Sequence, residues 1–245
     1  MASSMQFKYS PKVIIYPVLM VLVLWLVFWF QVRVDSGIKS YGIRPNDNFG
    51  FLGAFTSPFL HGDISHLYNN TIPIFVLSMA LFFFYPKIAW KVIVLGIVIS
   101  GLLTWIIADR GNHIGASGLI YVLFGFIFFK GIFAKHYRLI ALSFLVVFLY
   151  GSMVWYIFPI KQGMSWQGHL SGLITGFVFA IIFRKQIAKP EKYIWEQSDY
   201  SEEDDPFMKH FDEDGNFIEQ IDENVSEEDT DSNTTINYIY KDSKD

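Results

Sequence analysis

Six apolar runs, each near the roughly 20 residues that cross a bilayer's hydrocarbon as a helix, restrict this chain more than any other feature. They occupy residues 13–32, 64–84, 88–107, 115–133, 138–158 and 168–188. Hydrocarbon offers no water to an unpaired backbone group, so each run must bond its own N–H and C=O groups. The expected fold class is an all-α membrane protein built as a six-transmembrane-helix bundle.

Composition agrees: 52% of residues are hydrophobic and 18% aromatic, gathered into long runs rather than short periodic patches. The chain has no cysteine, which excludes disulfides, thiolate metal sites and cysteine catalysis. Its net charge of −4 arises mainly after residue 189, where acidic residues such as Glu202, Glu203, Asp204 and Asp205 accumulate. Three divisions follow: residues 1–12 as a cytoplasmic N-terminus, 13–188 as the six-span unit, and 189–245 as an acidic, disordered cytoplasmic tail. Lys8 and Lys12 precede the first run as in a signal peptide, yet the run is too long and no Ala-x-Ala site follows, so it reads as an uncleaved span. The short apolar patch Ile236–Lys241 receives no function.

Lys8, Lys12, Lys87, Lys91, Lys130, Lys135, Arg138, Arg184, Lys185 and Lys189 fall at one set of span ends, against Arg33, Lys39, Arg44, Arg110 and Lys161 at the other. Positive charge collects on the cytoplasmic side, which places both termini there. The single long connection, residues 33–63, mixes Gly, Pro, Asn and Phe and suits a compact loop lying partly in the interface.

Against this background a few polar side chains stand out. Ser117, within Gly115-Ala116-Ser117-Gly118, opens the fourth run, so it falls in the first turn of a helix, among free backbone N–H groups at the positive dipole end. Small residues in a span usually serve packing alone. His169, within Gly168-His169-Leu170-Ser171-Gly172, is an ionisable group inside a span and needs a partner, even if that partner is a backbone carbonyl. Gly168, Gly172 and Gly176 share one helix face; if Gly118 and Gly125 of the fourth span face them, His169 approaches Ser117 and can activate it. The candidate acids, Asp63 and Asp109, lie at span ends, so the expectation is a Ser-His dyad without a carboxylate. Tyr121 lies one turn beyond Ser117 and can stack on the imidazole or serve as core. His66 and Asn70, four residues apart, project from one face and can join the Ser117 amide in an oxyanion hole. His61 is expected to be structural, bonding the long loop to the bundle. Metals and cofactors are not expected.

On these residues the chain resembles the rhomboid intramembrane serine proteases over residues 10–188. Gly115-Ala116-Ser117-Gly118 with Tyr121 is similar to the nucleophile motif, His66-Leu67-Tyr68-Asn69-Asn70 to the His-x-x-x-Asn motif, Gly168-His169 with Gly172 to the base motif, and His61 to a further histidine. The resemblance implies a serine endopeptidase that cleaves in or near transmembrane segments. Its implied partners are membrane-protein substrates and lipids, not nucleic acid. The Lys/Arg asymmetry and the compact six-span form suit a multi-pass protein of a bacterial inner membrane, an organellar membrane being the alternative, with the active site opening to the extracytoplasmic side. The resemblance further implies a gate between the second and fifth spans and a cap formed by residues 159–166; Phe144, Phe148 and Trp155 suit the gate and suit packing against lipid equally well. Many members carry a Trp-Arg pair in the first loop; here the stretch reads Gly50-Phe51-Leu52-Gly53-Ala54-Phe55, so aromatics are expected to hold the loop. Two rivals remain: a non-catalytic rhomboid-like protein that binds membrane clients, and a small transporter. The transporter lacks a deep acidic residue and an internal repeat.

Overall fold

The structure, a computed structural model, describes residues 10–134, 137–160 and 163–184, together with 198, 200, 201, 205, 207–212 and 215–218. The chain divides into two units, Met1–Glu191 and Lys192–Asp245.

The first unit is a helical bundle. Its long helices are α1 (Lys12–Arg33), α2 (Ile64–Phe84), α3 (Ala89–Ile107), α4 (Ser117–Ala134), α5 (Tyr137–Tyr150) and α6 (Trp166–Ile182). Five segments are long and apolar enough to cross a bilayer, the fifth of them being α5 continued by a 3-10 stretch, Gly151–Ile157. The sixth helix has 17 residues, roughly 25 Å, a little under the hydrocarbon thickness. Ser165 caps it by accepting the Gly168 N–H, which starts the helix two residues before the expected boundary. The far end of the expected sixth run, 185–188, lies outside the described residues. Helix α4 starts at Ser117 rather than at residue 115, because Gly115 has φ +112°, outside the helical region.

Between α1 and α2 the chain makes four short helical turns: Ser36–Tyr41, Gly50–Leu52, Gly53–Thr56 and Ser57–Phe59. Backbone proximity, more than aromatics, holds this loop. A Cβ on Gly50 would lie 1.9 Å from the Arg44 carbonyl oxygen, and one on Gly53 2.3 Å from that of Gly42. Phe51 adds one edge contact with Trp105 of α3, ring centroids 6.1 Å apart.

Helices α4 and α6 share the largest interface of the bundle. An added Cβ at Gly172 would fall 2.3 Å from the Gly118 carbonyl oxygen, and one at Gly176 2.4 Å from that of Val122. Only glycine admits such close helix approach, which in lipid is a main source of helix association. Buried hydroxyls on the spans bond back one turn, Ser100 to Gly96 O, Thr104 to Ser100 O and Thr175 to Ser171 O. Lys130, wholly buried on α4, donates to the Phe183 carbonyl and so satisfies an open carbonyl at the end of α6.

In the second unit the described residues form a 3-10 turn, Met208–His210, and an isolated antiparallel bridge between Phe211 and Phe217. Most of the expected disordered tail, and residues 236–241, lie outside the described residues.

Gly176→Val should destabilise the bundle by about 1–3 kcal/mol, because its side chain meets backbone that cannot retreat. Gly118→Ala, whose Cβ meets nothing nearer than 3.7 Å, should leave stability level or raise it by ~0.5 kcal/mol. Equilibrium unfolding of the two variants in mixed micelles checks the contrast.

Candidate active site

The N-terminal ends of α2, α4 and α6 surround one open cavity of about 1200 Å³. Ser117, Tyr121, His66, Asn70 and His169 all line it. Residues of both α2 (Asn69, Pro73) and the α5 segment (Tyr150, Met153) border it as well, and those two elements share no substantial interface.

Ser117 is half-buried at the first position of α4, where the first N–H groups of a helix have no partner within it. The turn before it depends on Gly115. Besides the positive φ, the position a side chain would take there is filled by His66, whose Nε2 lies 2.5 Å from it. The Gly115 N–H donates to the Ser57 carbonyl at 2.8 Å, which ties the loop before Ser117 to the long first loop.

His169 is 6% exposed, and its ring stacks on that of Tyr121 with centroids 4.4 Å apart and planes 13° from parallel. Its Nδ1 lies 2.9 Å from the Tyr156 carbonyl oxygen. A carbonyl only accepts, so Nδ1 carries the proton and Nε2 keeps its lone pair. The Tyr121 hydroxyl in turn donates to the Met153 carbonyl at 2.5 Å. Both ring orientations are therefore set by the 3-10 stretch after α5. Among the described residues no hydrogen bond joins Ser117 to His169.

His66 has the opposite tautomer. Its Nδ1 faces the Gly62 N–H at a long 3.5 Å, which leaves the proton on Nε2, beside Gly115. The Asn70 amide nitrogen is buried and has no hydrogen-bond partner. Two donors thus converge below the Gly115-Ala116-Ser117 turn, and among the described residues neither has an acceptor. Asp63 caps α2 by accepting the His66 N–H at 2.9 Å, and this bond holds its carboxyl below the usual carboxylate range. It is a cap and does not touch His169.

A family model, Rhomboid domain, matches residues 48–186. The chain belongs to the rhomboid family. It is 34% identical over 182 residues to an uncharacterized protein of Mycobacterium tuberculosis and to one of Mycobacterium bovis, covering 70% of this chain and 74% of each relative. It is also 31% identical over 185 residues to an uncharacterized protein of Mycobacterium leprae, covering 69% of either chain. This rhomboid is accordingly a multi-pass integral membrane protein with the intramembrane-protease-like fold.

Several residues that shape this rhomboid's site are not prominent in its sequence. Gln31, wholly buried near the end of α1, donates from Nε2 to the His61 carbonyl at 2.6 Å and accepts the His61 N–H at 3.2 Å. A glutamine inside the last turn of an apolar span was the available signal. The clamp uses the backbone of His61, so this residue's imidazole is not what bonds loop to bundle, contrary to expectation. That ring is wholly buried, packs edge-on to His66 at 5.1 Å and has no hydrogen bond at either nitrogen. The Tyr156 carbonyl, a backbone group, has no sequence signal. Phe144, Phe148 and Trp155 are exposed on the outside of the bundle, Phe148 at 85%. Of the loop 159–166 only 159, 160 and 163–166 are described.

Burial, followed by the nearby His66 charge, pushes the His61 pKa down to about 4. The unfolded chain, with an ordinary value of 6.5, then binds more protons than the folded one between these limits. Stability should be full above pH 6.5 and fall as pH drops toward 4, by on the order of 3 kcal/mol from this residue. Unfolding midpoints at pH 7 and pH 4.5 should show a smaller acid loss in His61→Phe than in the unaltered protein.

Proposed function

We propose that this rhomboid is an intramembrane serine endopeptidase working through a Ser117–His169 dyad. The observation that carries the reading is the His169 tautomer: Nδ1 is committed to the Tyr156 carbonyl, so Nε2 is the basic nitrogen in a cavity that Ser117 also lines.

In the first step His169 Nε2 takes the Ser117 hydroxyl proton as Oγ attacks a substrate carbonyl carbon. In the ground state the two groups are not hydrogen-bonded, a common condition of unoccupied sites that tightens when substrate arrives. The carbonyl oxygen becomes an oxyanion and receives the Asn70 amide, His66 Nε2–H and the Ser117 N–H. Collapse expels the amine, which takes the proton from His169, and leaves an acyl-Ser117 ester. Water, deprotonated by the same nitrogen, then hydrolyses the ester. The imidazolium formed in each half-reaction is steadied by the Tyr156 carbonyl and the Tyr121 ring face in place of a carboxylate.

The substrates are transmembrane segments. A helix conceals its carbonyls in its own hydrogen bonds, so cleavage favours segments with helix-destabilising residues. Entry between α2 and α5 fits the scarcity of contact there and the cavity lining from both. With the positively charged span ends in the cytoplasm, the cavity opens toward the outer face of a bacterial inner membrane.

Ser117→Ala and His169→Ala should each abolish cleavage of a transmembrane reporter in liposomes while unfolding like the unaltered protein. Asn70→Ala should retain cleavage at roughly 100- to 1000-fold lower kcat. Undiminished turnover in Ser117→Ala would transfer the reading to a client-binding protein with contaminating activity.

A further inference from the structure

Between the nucleophile and the base lies a hydrogen-bonded junction that the dyad mechanism does not use, centred on His113. This residue is half-buried in the loop before α4, and it also lines the cavity. Its backbone forms both bonds of an antiparallel bridge with Ile43 of the first loop, N–H to O distances 2.8 and 2.9 Å. Its ring reaches two other groups. Nε2 lies 3.2 Å from the Arg110 carbonyl oxygen, and Nδ1 lies 2.6 Å from Ser165 Oγ.

The donor and acceptor roles at this junction are fully determined. Burial favours the neutral imidazole, and the Arg110 carbonyl only accepts, so Nε2 carries the one ring proton and Nδ1 is an acceptor. Ser165 Oγ must then donate its own hydrogen to Nδ1. The same oxygen accepts the Gly168 N–H at 3.2 Å, and the Ser165 carbonyl accepts the His169 N–H, also at 3.2 Å. One imidazole therefore joins the loop that ends in Ser117 to the N-cap from which the first turn of α6, bearing His169, is hung. Further bonds stiffen the loop half of the junction: Asn112 to the Lys39 carbonyl at 2.6 Å, and Asn46 to the Asp109 carbonyl at 2.5 Å.

We propose that His113 is a positioning residue that fixes the separation of Ser117 and His169, by accepting the Ser165 hydroxyl hydrogen and so locking the nucleophile loop to the N-terminus of α6. The inference rests on the Ser-His reading given above. The close approach of α4 and α6 already begins at Gly118 and Gly172, within one turn of Ser117 and His169. To that packing the junction adds a directional tie between the loop before Ser117 and the N-cap of α6. A shift of about 1 Å between reacting groups is enough to lower turnover about 100-fold, so a single hydrogen bond at this place has leverage on rate without touching substrate.

The lock makes a distinction between two conservative replacements. In His113→Asn the amide oxygen falls near the Nδ1 position and can still accept from Ser165. In His113→Gln the amide falls near Nε2, keeps the Arg110 contact and leaves Ser165 without its acceptor. With a reporter substrate in liposomes, His113→Asn should keep kcat within ~3-fold of the unaltered protein, whereas His113→Gln should lose roughly 10- to 100-fold in kcat with KM little changed. Ser165→Ala, which also removes the cap of α6, should lose at least as much as the Gln variant, and His113→Gln/Ser165→Ala should be no worse than Ser165→Ala alone. Equal activity of the Asn and Gln variants, or additive losses in the double variant, would overturn the proposal. Ser117→Ala run alongside separates its failure from that of the dyad: cleavage surviving in Ser117→Ala removes the protease reading. The lock is then judged by hydrogen exchange, where His113→Gln must raise exchange across 163–169, and His113→Asn must not. Unchanged exchange in both sinks it.

Discussion

Close backbone approach between α4 and α6 is the constraint on which the site depends. Gly172 lies against the Gly118 carbonyl, and Gly176 against that of Val122, at separations that no side chain would permit. In hydrocarbon there is no hydrophobic drive between helices, so contact area and close packing must supply association. The same contact brings the helix that starts with Ser117 alongside the helix that bears His169 in its first turns. The geometry of the proposed site and the association of these helices thus share one contact.

Around that contact, polar groups are satisfied in ways suited to a medium without water. Span hydroxyls bond to carbonyls one turn back, Lys130 fills a carbonyl at the end of α6, and Gln31 clamps the backbone of His61 at two points. Among the described residues the buried groups without a partner are scattered, and one of them, Asn70, lines the cavity. The Asn70 amide has no partner, and His66 directs its N–H toward the turn before Ser117. Donors that are held in place without an acceptor suit charge that exists only during a reaction. His169 carries the complementary arrangement, with one nitrogen tied to a carbonyl and the other left basic.

The long loop has a role beyond connecting α1 to α2. It bonds to the loop before Ser117 through Ile43 with His113, Ser57 with Gly115, Lys39 with Asn112 and Asn46 with Asp109. Glycines at 42, 50 and 53 let its backbone fold onto itself, so it is a scaffold built from main chain. Its exposed Tyr41, Phe49 and Phe55 are left to face outward. Each of these attachments uses a main-chain group on at least one side, which is how the loop is held without the Trp-Arg pair that the resemblance led one to look for.

The sequence by itself determined the all-helical membrane bundle and the order of its long helices, because hydrocarbon thickness sets helix length and composition alone reports it. It also marked Ser117, His169, His66, Asn70 and Tyr121 as candidates, since polar groups inside apolar runs are too costly to be incidental. Sequence spacing further indicated which glycines share a face of α6. Tertiary structure alone decided where α4 begins, since the φ of Gly115 answers to the His66 ring packed against it. It alone showed that α5 ends at Tyr150 in a 3-10 stretch whose carbonyls orient Tyr121 and His169. Backbone acceptors carry no side-chain signature, and contacts such as Gln31 with His61 or His113 with Ser165 join residues 30 and 52 positions apart. Periodicity informs on one helix at a time, whereas a site at the meeting of three helix ends exists only once they are packed.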